Sequence, residues 1–356
     1  MPMDGVMLGF VARELDSVLR DGRVDRVIQP EKDEIHLLIR AGGANHRLVL
    51  SASASAARAH LSSHAKTGPM EPPMLCMLLR KYLCGGRVLS VQRIAGDRIL
   101  KIDISNLSEL GDPVTRTLII EIMGRHSNII LCAADGRIID AARHVGQDIS
   151  RVRQVMPGLP YAYPPSQGKL DPDTATSAAI AASLIAAGGK LDKAIGASIA
   201  GFSPQAAREA AARIGLDGSS LIADLDVQQA ADAIEAYLRT MPTLSPCVVT
   251  LDDTDAPTDV FPFPQTHLSV AHIREFDSPS AALDAYFYER DRRDRLNQRS
   301  ASLAHTLKNH IERCEKKIAI QNEALEGAAR MEEYRQYGEL LQANLYRLQK
   351  GEPTAV

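Results

Sequence analysis

Tryptophan is absent from this chain, and aromatic residues make up only 4% of its 356 positions. A broad aromatic groove is therefore excluded, and the abundance of alanine favours helices with modest side chains. Charge of one sign is lacking too, because 41 Lys and Arg face 44 Asp and Glu for a formal charge of -3. Any nucleic-acid surface must then be a local patch and not a global bias. Cysteine is scarce and odd in number: Cys76, Cys84, Cys132, Cys247 and Cys314 are the five, and no two stand at zinc-site spacing. This argues against a disulfide framework and zinc ligation, and suits a reducing cytoplasm. The longest weakly apolar stretch, Ser177 to Ala187, is far shorter than the roughly 20 residues of a membrane span. The opening segment is acidic and amphipathic, without the basic and apolar regions of a signal peptide, so a cytoplasmic location away from membranes is expected. No nucleophile stands with a base or a ligand set, and neither a metal nor a cofactor is expected.

What is present fits a globular protein of two or three domains, with 45% hydrophobic and 24% charged residues. Leu8, Val11, Leu15, Val18 and Leu19 fall at helical spacing before Gly22. Short β-branched runs follow at Val24 to Gln29, Ile35 to Arg40 and Arg47 to Ser51, parted by turn-forming residues. A helix is predicted from Pro73 to about Leu83, with Leu75, Leu78, Leu79 and Tyr82 as its buried stripe. Strands are predicted at Arg87 to Ile94, Ile99 to Ile104, Thr117 to Met123, Asn128 to Cys132 and Arg137 to Ala141. The fold class is α+β. The domain reading places a β-rich domain over 1–156, a proline-rich linker over 157–172, a helical domain over 173–241, an irregular extended segment over 242–280 and a helical arm over 281–356. In the arm, Ala304, Leu307, Ile311, Cys314, Ile318 and Leu325 alternate three and four apart, the seam of a coiled coil that still needs a partner helix.

Eight short strings then stand in a telling order. They are Met3-Asp4-Gly5, the turn from Gln29 to Glu34, the helix from Pro73 to Lys81, and Gly96-Asp97-Arg98. Next come Glu121 to Ile129, Pro157 to Tyr161, Gly201-Phe202-Ser203-Pro204, and Tyr337 to Leu341 with Ala343 to Tyr346. Together they resemble the NFACT family of bacterial RqcH-like, or fibronectin-binding protein A-like, proteins along essentially the whole chain. The resemblance implies a β-rich domain similar to the N-terminal domain of formamidopyrimidine DNA glycosylases. A helix-hairpin-helix domain and the first part of a coiled-coil arm would follow. It also implies a non-enzymatic translation factor acting in ribosome-associated quality control. Such a factor binds tRNA and an obstructed large ribosomal subunit carrying a stranded peptidyl-tRNA. It recruits charged tRNA, alanyl-tRNA in bacteria, for mRNA-free C-terminal tailing, with peptidyl transfer left to the ribosome.

The residues that would carry this role also have purely structural readings. Asp97 can cap its turn while Arg98 is solvated; by resemblance the pair handles tRNA, with Arg98 exposed and gripping a phosphate or a base. From Glu121 through Met123, Gly124, Arg125, His126 and Ser127 to Asn128 runs the densest polar cluster of the chain. As an ordinary hairpin, Ser127 and Asn128 would satisfy backbone groups and Glu121 would pair with Arg125; as a site, Arg125 and His126 would meet RNA. Arg143, Arg151 and Arg153, with nearby His144, are candidate phosphate contacts or a solvated face. Gly201 and Ser203 open a helix, Ser203 as N-cap and Pro204 as first residue, where backbone N–H groups can hold a phosphate or form a plain corner. Arg290, Arg292, Arg293, Arg295 and Arg299 form a charge run at the start of the arm, a solvated face or a ribosomal RNA contact.

Two other classes compete. A DNA glycosylase would use Pro2 as a Schiff-base amine, but Met3 follows where those enzymes have Glu, and no cysteine-rich finger exists. A surface adhesin is suggested only by the family's older fibronectin-binding label.

Overall fold

The computed structural model describes residues 3–94, 96–108, 110–165, 167–268, 272–348 and 350–351, without the side chains of 298 and 299. It divides into two compact units, Met1–Arg290 and Asp291–Val356.

The first unit is built on α1 (Gly5–Leu19), a helix apolar nearly all round its first turns. Such a helix has to be enclosed, and Leu8, Val11, Leu15 and Leu19 are fully buried. The enclosure is a nine-stranded antiparallel sheet in the order β4-β3-β2-β1-β5-β6-β7-β8-β9. Its strands are β1 (Arg23–Glu31), β2 (Glu34–Ala41), β3 (Ala44–Ser51), β4 (Arg58–Leu61), β5 (Arg87–Arg93), β6 (Ile99–Leu107), β7 (Pro113–Glu121), β8 (Asn128–Cys132) and β9 (Ile138–Ala141). Strands β1 and β5 share only the Arg23↔Arg87 pair, so the sheet hinges there into a four-stranded and a five-stranded half. The second helix, α2 (Met74–Leu83), lays Leu75, Cys76, Leu79 and Leu83 on the same core. Each fully buried leucine contributes roughly 2–3 kcal/mol.

Four helices follow: α3 (Ser177–Ala187), α4 (Leu191–Ser198), α5 (Pro204–Arg213) and α6 (Val227–Thr240). They enclose a separate core of Ile180, Leu184, Ile195, Ile234 and Leu238, to which Val6 and Phe10 of α1 also belong. Ser203 is the N-cap of α5, accepting from Ala206 N–H, and Pro204 is its first residue. The segment expected to be irregular holds instead a three-stranded sheet, β11-β10-β12, from β10 (Cys247–Leu251), β11 (Pro257–Phe261) and β12 (Ile273–Phe276). Pro262 and Pro264 disguised it, but they lie just beyond β11, where no ladder hydrogen bond is needed.

The proline-rich stretch is extended yet docked: Tyr161 packs on a third cluster formed by Ile99, Ile119, Ile130 and Cys132. Helix α7 (Pro279–Ala343) begins in the first unit. Within the second unit, Leu303, Leu307, Ile311, Ile318 and Leu325 of its seam are exposed. Among the described residues no helix is long and apolar enough to cross a membrane, and no group of three or more His, Cys, Asp or Glu could hold a metal.

Candidate functional site

Because β6 and β7 pair from Ile99↔Glu121 onward, the residues just before β6 and just after β7 must meet at one end of the sheet. Ile122 N–H donates to the Arg98 carbonyl at 2.8 Å. The Asp97-Arg98 and Glu121-to-Asn128 strings thus form one structural corner. Asp97 N–H donates to the Ile94 carbonyl at 2.9 Å, and its carboxylate accepts from Arg98 N–H at 2.7 Å. Arg98 is half-buried, more enclosed than the exposed side chain expected. The cause is next to it: Gly96 is buried, and a Cβ there would lie 2.4 Å from Cδ of Pro172. The hairpin tip is pressed against the segment that leads into the helical part. Ala95 of this turn lies outside the described residues.

After β7 the chain makes one turn of 3-10 helix over Gly124–His126, starting at Gly124 with φ of 59°. Met123 N–H donates to Ser127 Oγ at 2.8 Å. Buried Asn128 is bound on both sides: Nδ2 donates to the Arg143 carbonyl at 2.8 Å, and Oδ1 accepts from Arg143 N–H at 3.0 Å and Ile129 N–H at 2.9 Å. Met123 is half-buried against the Ile99–Ile119 cluster. The buried members of the string therefore fix the turn, and Arg125 and His126 are its exposed residues. Arg125 Nε donates to His126 Nε2 at 3.0 Å.

Glu121 does not pair with Arg125. It is 2% exposed and takes both terminal nitrogens of Arg153, one at 2.9 Å, as well as the Tyr161 hydroxyl at 2.8 Å. Residue alternation explains the choice, since Glu121 faces the side of the sheet covered by the 150–163 segment while Arg125 turns to solvent. Burial beside the Glu121 carboxylate pushes the Tyr161 phenol up, so it remains a donor. Arg153 also lies over that ring, its Cζ 5.0 Å from the centroid.

Arg143 is half-buried and joins three segments, donating to the carbonyls of Arg125 at 2.9 Å and Ala52 at 3.0 Å and to the Asp33 carboxylate at 3.4 Å. His144 is exposed and bonded to Asp140 at 2.7 Å. Arg151 is exposed. Gly201 and Ser203 occupy a different place, at the junction between the sheet and the helical part. Gly5 N–H donates to the Gly201 carbonyl at 2.8 Å, and a Cβ on Gly201 would lie 2.2 Å from the Gly96 carbonyl oxygen. Ser203 donates its hydroxyl to Asp4 at 2.6 Å, across 199 residues of sequence. Burial raises the Asp4 carboxyl, against the lowering pull of that hydrogen bond. Both residues are thus engaged within the fold.

Sequence reasoning passed over two residues that shape the corner. Arg93 donates to the Gly5 carbonyl at 2.8 Å and to Asp173 at 2.6 Å, although an Arg at a strand end reads as solvated. Tyr161 closes the Pro157-to-Tyr161 string of the proline-rich stretch, which does not mark it as a partner of Glu121. Of the arginine run, Arg290 donates to the Ser55 carbonyl at 2.9 Å, Arg293 and Arg295 are exposed in the second unit, and the side chain of Arg299 lies outside the described residues. Pro2, the amine a glycosylase would need, lies outside them as well.

The corner and the sheet that carries it define a mixed α/β protein whose two polar turns are locked together by backbone hydrogen bonds. The NFACT N-terminal and middle domains match residues 4–356, and the chain belongs to the NFACT family. It is 36% identical over its full length to the Rqc2 homolog RqcH of Bacillus subtilis, and 32% identical over 98% of its length to the Streptococcus suis protein of that name. It spans 61% and 59% of those two relatives. Among solved structures, it resembles the N-terminal part of the fibronectin/fibrinogen-binding protein of Streptococcus suis. The TM-score is 0.67 at 30% identity, over 80% of this chain and 99% of that one. The fibrinogen-binding protein of Staphylococcus aureus gives 0.68 at 29% identity, over 81% and 99%.

Proposed function

We propose that this chain is the tRNA-handling portion of an RqcH-type ribosome quality control factor. In this reading it binds tRNA and an obstructed large ribosomal subunit with its stranded peptidyl-tRNA. It recruits charged tRNA, alanyl-tRNA in particular, for mRNA-free C-terminal tailing of the stalled chain, in the cytoplasm. It needs no catalytic residue, metal or cofactor, because the ribosome performs peptidyl transfer. The finer architecture belongs to the same reading: a glycosylase-like β-rich domain, a helix-hairpin-helix domain and a coiled-coil arm.

The observation that carries the proposal is the convergence of Asp97-Arg98 with Arg125-His126 at one end of β6 and β7. Two cations and an imidazole on fixed turns suit phosphate and base-edge contacts. Glu121, Met123, Gly124, Ser127 and Asn128 hold those turns in place, and Arg151 extends the basic surface. Arg143 and Arg153 act from behind.

The test is tRNA binding across a salt series for wild type, Arg98→Ala and Arg125→Ala, with an abasic-site DNA duplex and fibronectin as competing ligands. A tRNA preference weakened in each variant, with an unchanged melt and a shallower salt slope, is expected. A preference for the lesion duplex would replace the reading with a glycosylase-like one. A preference for fibronectin, which the names of the solved relatives make worth including, would replace it with an adhesin.

A further inference from the structure

Away from that corner, the start of β3, the exit of β4 and the first turns of α7 enclose a cleft of about 440 Å³. This is within the size range of small-ligand sites, roughly 300–1,000 Å³. Its two carboxylates are already occupied. Asp284 accepts from the Ser62 hydroxyl at 2.5 Å and from the Ser63 N–H at 2.9 Å and hydroxyl at 2.8 Å. Glu14 accepts from the Ser280 N–H at 3.0 Å.

The donors on β3 are in another state. Asn45, His46 and Arg47 line the cleft, and among the described residues their side chains make no hydrogen bond or ion pair. At the rim His64 stacks on Tyr288 with ring centroids 3.7 Å apart and planes at 15°. Of the two rings His64 lines the cleft, and Tyr288 and the His64 side chain are each 45% exposed. The amino end of α7 borders the same space, with its positive dipole end. Unengaged donors, the Arg47 guanidinium among them, beside an exposed aromatic pair match the two halves of a nucleotide, a phosphate and a base.

We propose that this cleft binds an unpaired nucleotide of an RNA strand. Arg47, assisted by Asn45 two residues away on the same face of β3, takes the phosphate, and the base stacks on the Tyr288–His64 pair. The site is separate from the Arg98 and Arg125 corner and does not depend on it. A free mononucleotide carries the same chemistry, so the experiment has to distinguish the two sources.

The whole chain is titrated with a fluorescent single-stranded RNA 12-mer, and separately photocrosslinked to the same RNA carrying 4-thiouridine, with the adducts mapped by mass spectrometry. Crosslinks on the peptides containing His64 and Tyr288 are expected. Tyr288→Ala should weaken binding about tenfold, while Tyr288→Phe, which keeps the ring, should bind like wild type. Arg47→Ala should make the slope of log affinity against log salt shallower by about 0.7, one strand phosphate. AMP at a nucleotide concentration equal to that of the 12-mer should compete poorly; equal competition would assign the cleft to a free nucleotide and overturn the strand. Unchanged binding by Arg47→Ala and Tyr288→Ala, both with cooperative melts, would overturn the site. So would crosslinks confined to residues 96–98 and 123–127. The two readings fail separately, because Arg98→Ala and Arg125→Ala should leave the Tyr288 crosslink intact.

Discussion

Replacing Arg153 with alanine should damage the fold and spare the RNA surface. In the native structure the Glu121 carboxylate is 2% exposed and Arg153 covers it with a side chain 15% exposed. Removing the cation leaves a buried carboxylate with one remaining donor, the Tyr161 hydroxyl at 2.8 Å. Breaking one side of a buried pair costs about 3–5 kcal/mol. The lower end applies here, because Tyr161 remains and the covering segment can open to admit water. A loss of about 3 kcal/mol corresponds to a fall in Tm of about 6–12 °C for a unit of this size. Thermal melts followed by circular dichroism measure it directly. The double variant Glu121→Leu with Arg153→Met removes both charges together and should recover most of the loss. A drop below about 1 °C in Arg153→Ala would refute the argument. So would a double variant as unstable as the single one. Weaker tRNA binding with an unchanged melt would make Arg153 a contact residue instead of a strut.

Acid should loosen the region around β2 and β4 in two stages. Burial alone would raise Glu34, but its hydrogen bond to His36 and the nearby Arg58 and Lys66 outweigh that and hold it at about 2. Burial, with Arg58 adjacent, lowers His60 to about 4. In both cases the unfolded chain binds more protons, so stability falls with pH, from about 6.5 to 4 through His60 and from about 4.5 to 2 through Glu34. His60→Gln should flatten the upper limb in melts taken across pH, and an unaltered limb would contradict the assignment. Gly201→Ala should cost about 3 kcal/mol, since φ there is 76° and the new Cβ would stand 2.2 Å from the Gly96 carbonyl; a melt within one degree of wild type would argue that the junction yields easily. Asn128→Ala strands the N–H groups of Ile129 and Arg143 and should cost about 2 kcal/mol. It should also increase amide exchange over residues 124–127, and unchanged exchange there would count against Asn128 as the anchor of the turn.

Much of the sheet was legible because its strands advertise themselves locally. Thr117, Leu118, Ile119 and Ile120 can hardly be anything but a strand, and the polar string after them marks a turn. The N-cap and proline of α5 were equally plain. What stayed hidden depends on partners distant in sequence. Glu121 has Arg125 four residues away, yet its partner is Arg153, because facing within a strand overrules proximity along the chain. Strand β4 is only four residues long, too short for a pattern. The three strands after residue 246 lie among prolines and aspartates that suggest irregular chain. In the corner itself, the strings were recognisable, whereas their division into buried supports and exposed Arg125 and His126 needed three dimensions.

The contact of Gly5 with Gly201 also sets an order of events during synthesis. Helix α1 is enclosed by elements of the first unit that follow it in the chain. Its amino end finds its hydrogen-bond acceptor at Gly201, and the cap Asp4 finds Ser203, 199 residues downstream. Until that segment has left the ribosome, α1 has an apolar surface with no permanent cover. Contacts of such long sequence separation form slowly. The lock between α1 and the helical part therefore closes only once Gly201 and Ser203 have emerged.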